Sequence, residues 1–174
     1  MVPEKTAWFA LMVAPRKEKI TAQTLRADGF EEFLPLYCSR HLWSDRIKKI
    51  ESPLFPGYVF CRFDPRVRQA VLKTAGVVSI VSFGKIPEPI HDSEISALQA
   101  VCGSGLTATP YPTPKVGSTV RLNEGPLRGL EGILVEDKKT RLIISLTLLQ
   151  RSVAVVIDRA WIAPIGALVC FDSR

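Results

Sequence analysis

The segment PLFPGYVF, residues 53–60, decides how the rest of the sequence is interpreted. Two prolines and a glycine interrupt an otherwise apolar run, which predicts a stiff turn leading into a strand. Side chains alternate along a strand, so Tyr58, Phe60 and Arg62 are expected to share one face. The opposite face suits a core beneath helices, and it carries Val59, Cys61 and Phe63.

The aromatic face has two interpretations. Trp8, on an earlier predicted strand, is a candidate neighbour of Tyr58 and Phe60, and the three rings together would form one surface. Either a connecting segment or a second module covers this surface, or the open face of the sheet displays it to a partner. We expect display, which makes the surface a binding site.

Composition bounds the class of protein. The chain has 174 residues, is 47% hydrophobic and 23% charged, and carries a net charge of +6, which favours contact with a polyanion. No apolar run approaches the roughly 20 residues that cross a bilayer, and the N-terminus lacks a signal-peptide pattern, so we expect a cytoplasmic monomer without a membrane partner. Widely spaced cysteines and two unrelated histidines predict no metal, no cofactor and no enzymatic activity.

The first part of the chain alternates strands and helices. This order, βαββαβα, predicts an α+β fold in which an antiparallel sheet carries the two inner helices on one face, as in ferredoxin-like domains. Strands are predicted at Ala7–Val13 and at residues 33–43, 54–63 and 77–83, with a charged loop over residues 44–52. Helices are predicted over residues 15–28, 64–76 and 92–101.

In the second part of the chain, apolar residues recur with a period of two. Residues 103–115 are rich in Gly, Thr and Pro and predict a semi-extended tether between a first domain at residues 1–102 and a second at 116–165, with a tail at 166–174. The second domain is predicted to be a small all-β barrel. Its inward residues would include Leu142, Ile144, Leu146 and Leu148, and its outward residues would be Ile143, Ser145, Thr147 and Leu149.

One resemblance is to the RNA recognition motif, whose third strand stacks aromatic rings on bases. Pro56 stands where that motif has Lys or Arg, and Val59 stands where it has Gly or Ala. The positions in step with the motif are Gly57, Tyr58, Phe60 and Phe63. This alternative implies a ribosome-associated or other RNA-binding protein that uses the Tyr58 and Phe60 strand as a stacking surface.

The chain also resembles the NusG family of transcription elongation factors, and especially its RfaH-like antitermination branch. The resemblance covers roughly residues 7–165 and is carried by AWFALMV, PLFPGYVFCRFDP, GVVSIVSFGKIPEPI and VGSTVRLNEGPLRGLEGILVE. It implies an N-terminal NGN domain that binds the clamp helices of the largest RNA polymerase subunit and suppresses pausing or termination. The residues matching the polymerase contact region are Trp8, Phe55, Tyr58 and Phe60.

Two further contacts follow from this resemblance. A basic hairpin would lie near the non-template DNA strand, as suits basic groups around an aromatic ring. Its residues are Arg40, His41, Trp43, Arg46, Lys48 and Lys49. A second contact, to the other large polymerase subunit, would involve Arg68 and Gln69, although RVRQAVLKTAG departs from the His-Thr-rich pattern of the RfaH-like branch.

The second module resembles a KOW domain. The resemblance implies that it docks a ribosomal protein or the termination factor Rho through the corner that holds Leu149 and Arg151. Gly125 and Gly129 are expected to permit tight turns, and Gly132 a close approach of strands. The β-branched content of RLIISL and SVAVVID predicts a stable barrel without a switch of fold.

Overall fold

A computed structural model describes residues 6–43, 46–111, 117–136, 139–146 and 148–164. The first part contains, in chain order, β1 (Ala7–Val13), α1 (Glu18–Ala27), β2 (Glu31–Phe33), β3 (Leu36–Trp43), β4 (Arg46–Pro53), β5 (Tyr58–Phe63), a 3₁₀ turn (Pro65–Val67), α2 (Arg68–Lys73), β6 (Val77–Ile80), β7 (Ser82–Phe83), β8 (Ile86–Pro87), β9 (Pro89–Ile90) and α3 (Asp92–Gly103). The second part contains β10 (Ala108–Tyr111), β11 (Ser118–Leu122), β12 (Glu131–Glu136), β13 (Thr140–Leu146), β14 (Arg151–Val156), a second 3₁₀ turn (Arg159–Trp161) and β15 (Ile162–Pro164). Within the described residues, none of the helices has the length and apolar character required to cross a membrane.

The first sheet has the order β2-β5-β1-β6, with β9 also paired to β1, and every pairing is antiparallel. Helices α1 and α2 cover one of its faces, as the sequence predicted for the two inner helices. Phe9 and Phe63 meet there with ring centroids 4.6 Å apart. The residues predicted for this face are all buried in its core cluster, namely Val59, Cys61 and Phe63.

The start of α1 differs from the prediction, whereas its end agrees. Arg16 has a φ of 62°, outside the helical region, so Pro15 lies in a turn and the helix begins only at Glu18. At the other end Gly29 has a φ of 86°, and its amide bonds to the Arg26 carbonyl. The next amide, that of Phe30, bonds to the Leu25 carbonyl, which completes a Schellman motif.

The predicted helix over residues 64–76 is shorter and divided. The Asp64 carboxylate accepts a hydrogen bond from the Arg66 amide and caps the 3₁₀ turn that Pro65 opens. Hydrogen bonds from the Arg66 side chain and amide lower the pKa of Asp64. The following α2 covers only six residues, and its C-cap is Thr74.

The charged segment at residues 44–52 was predicted as a loop, which is wrong for residues 46–52, because Arg46–Pro53 is a strand. These residues form β4 and pair with β3 along a separate two-stranded hairpin, from Leu36 opposite Pro53 to Trp43 opposite Arg46. Four basic or acidic residues obscured the strand pattern, because a ribbon outside the main sheet does not need one wholly apolar face. The single strand predicted over residues 33–43 is likewise divided, into β2 and β3 on either side of Pro35.

The second sheet has the order β10-β14-β13-β12-β11-β15. Its strand β10 corrects the tether prediction, because Ala108–Tyr111 lies within residues 103–115 and pairs with β14. Pro110 is tolerated there because β10 is at the edge of this sheet and needs no second set of ladder hydrogen bonds. The tether prediction is also wrong for Gly103, which is the last residue of α3.

One apolar cluster joins the two sheets. Three predicted inward residues of β13, Leu142, Ile144 and Leu146, are buried in it, and Leu148 packs against it. The cluster continues into the first part of the chain through α3, where Ile95, Leu98 and Val101 are buried. The second sheet therefore shares its core with the first, although a tether was predicted to separate the two domains.

Ile143 was expected to face outward, and it is only 1% exposed. It lines a crevice of about 490 Å³ between β13 and α3, together with Ala97 and Ile133. The alternation along β13 was predicted correctly, since Ile143 lies outside the cluster that buries its two neighbours. Its burial depends on α3, which the sequence pattern did not place.

Candidate functional site

The site begins with the turn inside PLFPGYVF. The Tyr58 amide donates to the Phe55 carbonyl at 3.1 Å, with Pro56 and Gly57 between them. Gly57 has a φ of 85°. Proline followed by a residue at positive φ is typical of a type II turn, so these residue types favour this backbone locally.

A carboxylate from α1 holds this turn in place. Glu18, only 8% exposed, accepts a hydrogen bond from the Gly57 amide at 2.9 Å. The Gly57 carbonyl in turn accepts from the Val13 amide at 2.9 Å. Both polar groups of the Gly57 backbone are therefore paired, one with the helix and one with β1. The sequence offered no signal for Glu18, which resembles any other glutamate at a helix start.

We expect Glu18→Ala to lower the free energy of unfolding by about 2 kcal/mol, because it leaves the partly buried Gly57 amide without this charged acceptor. Urea denaturation followed by circular dichroism measures the effect. Glu18→Gln is the matched control, since its amide oxygen can still accept the bond. Equal losses for the two variants would show that the hydrogen bond to Gly57 is not the cause.

Four aromatic residues meet beyond the turn, and we call Trp8, Phe55, Tyr58 and Phe60 the aromatic face. Phe55 and Phe60 pack edge to face with ring centroids 5.7 Å apart. Trp8 lies opposite Arg62 in the register of β1 and β5, on the same side of the sheet. The structure thus brings together the four residues predicted for one site.

The aromatic face is covered, which corrects the expectation that the sheet displays it. Trp8 is 5% exposed, Phe55 1% and Phe60 0%, and only Tyr58 is half-buried. They belong to the cluster that includes α3 and the inner residues of the second sheet. The interpretation in which a second module packs over the rings is the one that the structure shows.

Arg151 and Leu149, predicted to dock a separate partner, lie against this same surface. The Arg151 guanidinium stands over the Tyr58 ring, 5.4 Å from its centroid, in cation–π geometry. Leu149 is half-buried and packs against the shared cluster. Sequence reasoning assigned these residues and Tyr58 to two different binding sites, yet in the structure they lie side by side.

The residues predicted to lie near the non-template DNA strand are on the β3–β4 hairpin. Its backbone register places Arg40 opposite Lys49 and His41 opposite Lys48, with Trp43 opposite Arg46. Like charges directly opposite one another weaken a hairpin and suit a polyanionic partner. The side chains of these six residues lie outside the part of the structure that is described.

The second predicted polymerase contact and the predicted glycines are each located. Arg68 and Gln69 begin α2 and are exposed. Gly125 and Gly129 have φ values of 79° and 88°, which confirms their turns. At Gly132 an added Cβ would meet the Ile143 carbonyl oxygen at 2.6 Å, which confirms the close strand approach.

Residues 6–99, more than half of the chain, match the family described as "Transcription termination factor nusG". The transcription termination/antitermination protein NusG of Vibrio vulnificus (strain CMCP6) is 26% identical over 171 residues, covering 88% of this chain and 93% of that protein. The protein of the same name in Buchnera aphidicola subsp. Acyrthosiphon pisum (strain APS) is 26% identical over 174 residues, covering 89% of this chain and 94% of that protein. A solved structure described as "Domain interaction in Thermotoga maritima NusG" matches with a TM-score of 0.56 and 20% identity, covering 93% of this chain and 98% of that one. The fold is therefore similar across almost the entire length.

Proposed function

Because this chain belongs to the NusG family of transcription factors, which bind RNA polymerase, we propose that its aromatic face receives the clamp helices of the largest polymerase subunit. The observation that carries the proposal is the convergence of Trp8, Phe55, Tyr58 and Phe60 on one side of the first sheet. Clustered aromatic anchors suit binding of an apolar helical surface. Bound there, the protein would suppress pausing or termination.

Binding at this face requires the second sheet to move away. Rings that are 0–5% exposed cannot contact a partner, so only an open form of the chain binds. The measured dissociation constant is then the intrinsic constant divided by the fraction of open molecules. Contacts that favour the closed form, including Arg151 over Tyr58, consequently weaken polymerase binding.

The second module would dock a ribosomal protein or Rho through Leu149 and Arg151, as its resemblance to a KOW domain implies. This contact also depends on opening, because Leu149 packs against the shared cluster and Arg151 stands over Tyr58. The open form therefore makes both binding surfaces accessible together. Polymerase and the second partner should each favour binding of the other, since both bind the open form.

The β3–β4 hairpin would contact the non-template DNA strand, and the start of α2 the second large polymerase subunit. The pairing of Arg40 with Lys49 and of His41 with Lys48 concentrates basic residues along one ribbon. Exposure of Arg68 and Gln69 at the first turn of α2 supports the other contact. Both contacts supplement the aromatic face and would orient the protein on polymerase.

Two substitutions at one contact are expected to change polymerase affinity in opposite directions. Tyr58→Ala removes an anchor worth about 2 kcal/mol, which alone would weaken polymerase binding roughly thirtyfold. It also removes the Arg151 contact that favours the closed form, which strengthens binding, so a net weakening of about tenfold is expected. Arg151→Ala removes only the contact that holds the closed form, about 0.5–1 kcal/mol, and should strengthen binding about two- to fivefold. Titration of labelled protein with bacterial core RNA polymerase measures both.

Phe83→Ala is the control for loss of an aromatic ring, since Phe83 is 86% exposed on a different hairpin. It should leave polymerase affinity unchanged. Absence of polymerase binding by the unsubstituted protein would contradict the proposal. If the unsubstituted protein instead binds RNA, and Tyr58→Ala abolishes that binding, the aromatic strand is an RNA-stacking surface.

A further inference from the structure

Two cysteines from distant parts of the chain line one cavity. The cavity has a volume of about 350 Å³ and lies between β3 and the end of α3. Cys38 contributes from β3 and Cys102 from the last turn of α3, and both are exposed free thiols. The connecting residues that lead to β10 form another part of the wall, including Gly105, Leu106 and Thr107.

Strand β3 and the end of α3 place Cys38 and Cys102 on the wall of the same cavity. The Leu36 amide lies close enough to the Cys102 sulfur to lower the pKa of its thiol, against the larger effect of burial. Leu36 and Cys38 are two residues apart in the same strand, so they lie on the same side of it, with a separation of about 6.6 Å along the strand. A disulfide joins Cα atoms about 4.4–6.8 Å apart, so closing one requires β3 and the exposed end of α3 to bring the two cysteines that line this cavity within that range.

The described cysteines differ in their environments. Cys61 is fully buried in the core beneath α1, and burial raises the pKa of its thiol to about 12, which keeps it protonated. Cys102 is exposed as a residue, but partial burial around its sulfur raises the pKa of its thiol, against the opposing effect of the Leu36 amide. Cys38 is exposed and lines the same cavity, so its thiol is accessible to an oxidant.

We propose that Cys38 and Cys102 form a redox modification site that hydrogen peroxide closes to a disulfide. The Cys38 thiolate attacks one peroxide oxygen, the O–O bond breaks, and one water leaves as Cys38 becomes a sulfenic acid. The Cys102 sulfur then attacks the Cys38 sulfur, and the S–O bond breaks with release of a second water. The two thiols lose two electrons and two protons in total, and the peroxide is reduced to two waters.

The disulfide would join the base of the β3–β4 hairpin to the end of α3. Residues 104–107, which follow the end of α3 at Gly103, connect α3 to β10 and so to the second sheet. Leu106 in this connection also packs against the shared core cluster. The oxidised protein would therefore hold the beginning of this connection against the first module.

Peptide mapping of the full-length protein tests the site. Reduced protein is exposed to hydrogen peroxide, remaining thiols are alkylated, and the chain is digested with trypsin without reduction. The four cysteines fall into separate tryptic peptides, at residues 27–40, 50–62, 86–115 and 160–174. We expect a cross-linked species that joins 27–40 to 86–115 and that disappears on treatment with dithiothreitol.

Matched serine variants identify the pair. Cys38→Ser and Cys102→Ser should each abolish this species, whereas Cys61→Ser and Cys170→Ser should leave it intact, and thermal melting of each reduced variant checks that it is folded. Sulfenic or higher acids at Cys38 without the cross-link would overturn the proposal. A dominant cross-link to residues 50–62 or 160–174 would overturn it as well.

Discussion

Phe60→Ala is expected to lower the free energy of unfolding by about 3–5 kcal/mol. Phe60 is 0% exposed and packs edge to face against Phe55, with Phe33 at a centroid distance of 6.2 Å. The cluster that buries it includes residues from both sheets and from α3, so no single element can shift to fill the space that the ring leaves. The loss should therefore include both the transfer energy of the ring and the cost of a cavity.

Urea denaturation at equilibrium, followed by tryptophan fluorescence, measures this loss. Phe83→Ala is the matched control, because the same ring is removed from a residue that is 86% exposed, and a change within about 0.5 kcal/mol is expected. A loss under about 1 kcal/mol at Phe60 would mean that the aromatic face is not packed as described. The same result would favour a chain in which the second module leaves the face open in solution.

Gly76→Ala is expected to lower the free energy of unfolding by about 3 kcal/mol. Gly76 has a φ of 94°, and a Cβ added there would lie 2.1 Å from the Thr21 hydroxyl oxygen. Thr21 is fully buried on α1, so its side chain has little room to move. Backbone strain and steric overlap each contribute about 1–3 kcal/mol, and both act at this position.

Two comparisons separate these causes. Gly29 has a similar φ of 86°, but nothing lies within 4 Å of a Cβ added there. Gly29→Ala should therefore lower the free energy of unfolding by about 1 kcal/mol, through backbone strain alone. Thr21→Ala combined with Gly76→Ala should recover the steric part, because the obstructing hydroxyl is gone. In the described structure the Thr21 hydroxyl has no hydrogen-bond partner, so Thr21→Ala alone sacrifices no such bond. An additive double variant would show that the overlap with Thr21 is not a cause.

Much of the first sheet could be predicted from local pattern. The bounds of β1 agree with the prediction, and the alternation after Gly57 correctly separated Phe60 from Cys61. The hairpin strand β4 could not be predicted in the same way, because its charged residues conceal any apolar face. Strand β10 was not predicted for a related reason, since the three prolines and three threonines of residues 103–115 favour an extended tether as much as an edge strand.

The sequence predicted which residues form the candidate site, but it did not predict that they are buried. Trp8, Phe55, Tyr58 and Phe60 meet on one side of the first sheet, and Leu149 and Arg151 lie beside them. Burial of these rings was an open alternative, because nothing in PLFPGYVF indicates what packs on it. Helix α3 contributes buried residues at a spacing of three, Ile95, Leu98 and Val101, and this pattern was the available sign that one side of α3 needed a partner.

By itself, the sequence determined the backbone of the PLFPGYVF turn and the division of the following strand into two faces. Both depend on local chemistry, namely proline followed by a glycine at positive φ and the alternation of side chains along a strand. Only the tertiary structure decided that the second sheet and α3 cover the aromatic face. Apolar burial has no direction of its own, so which distant surface covers a set of rings depends on how whole modules pack together.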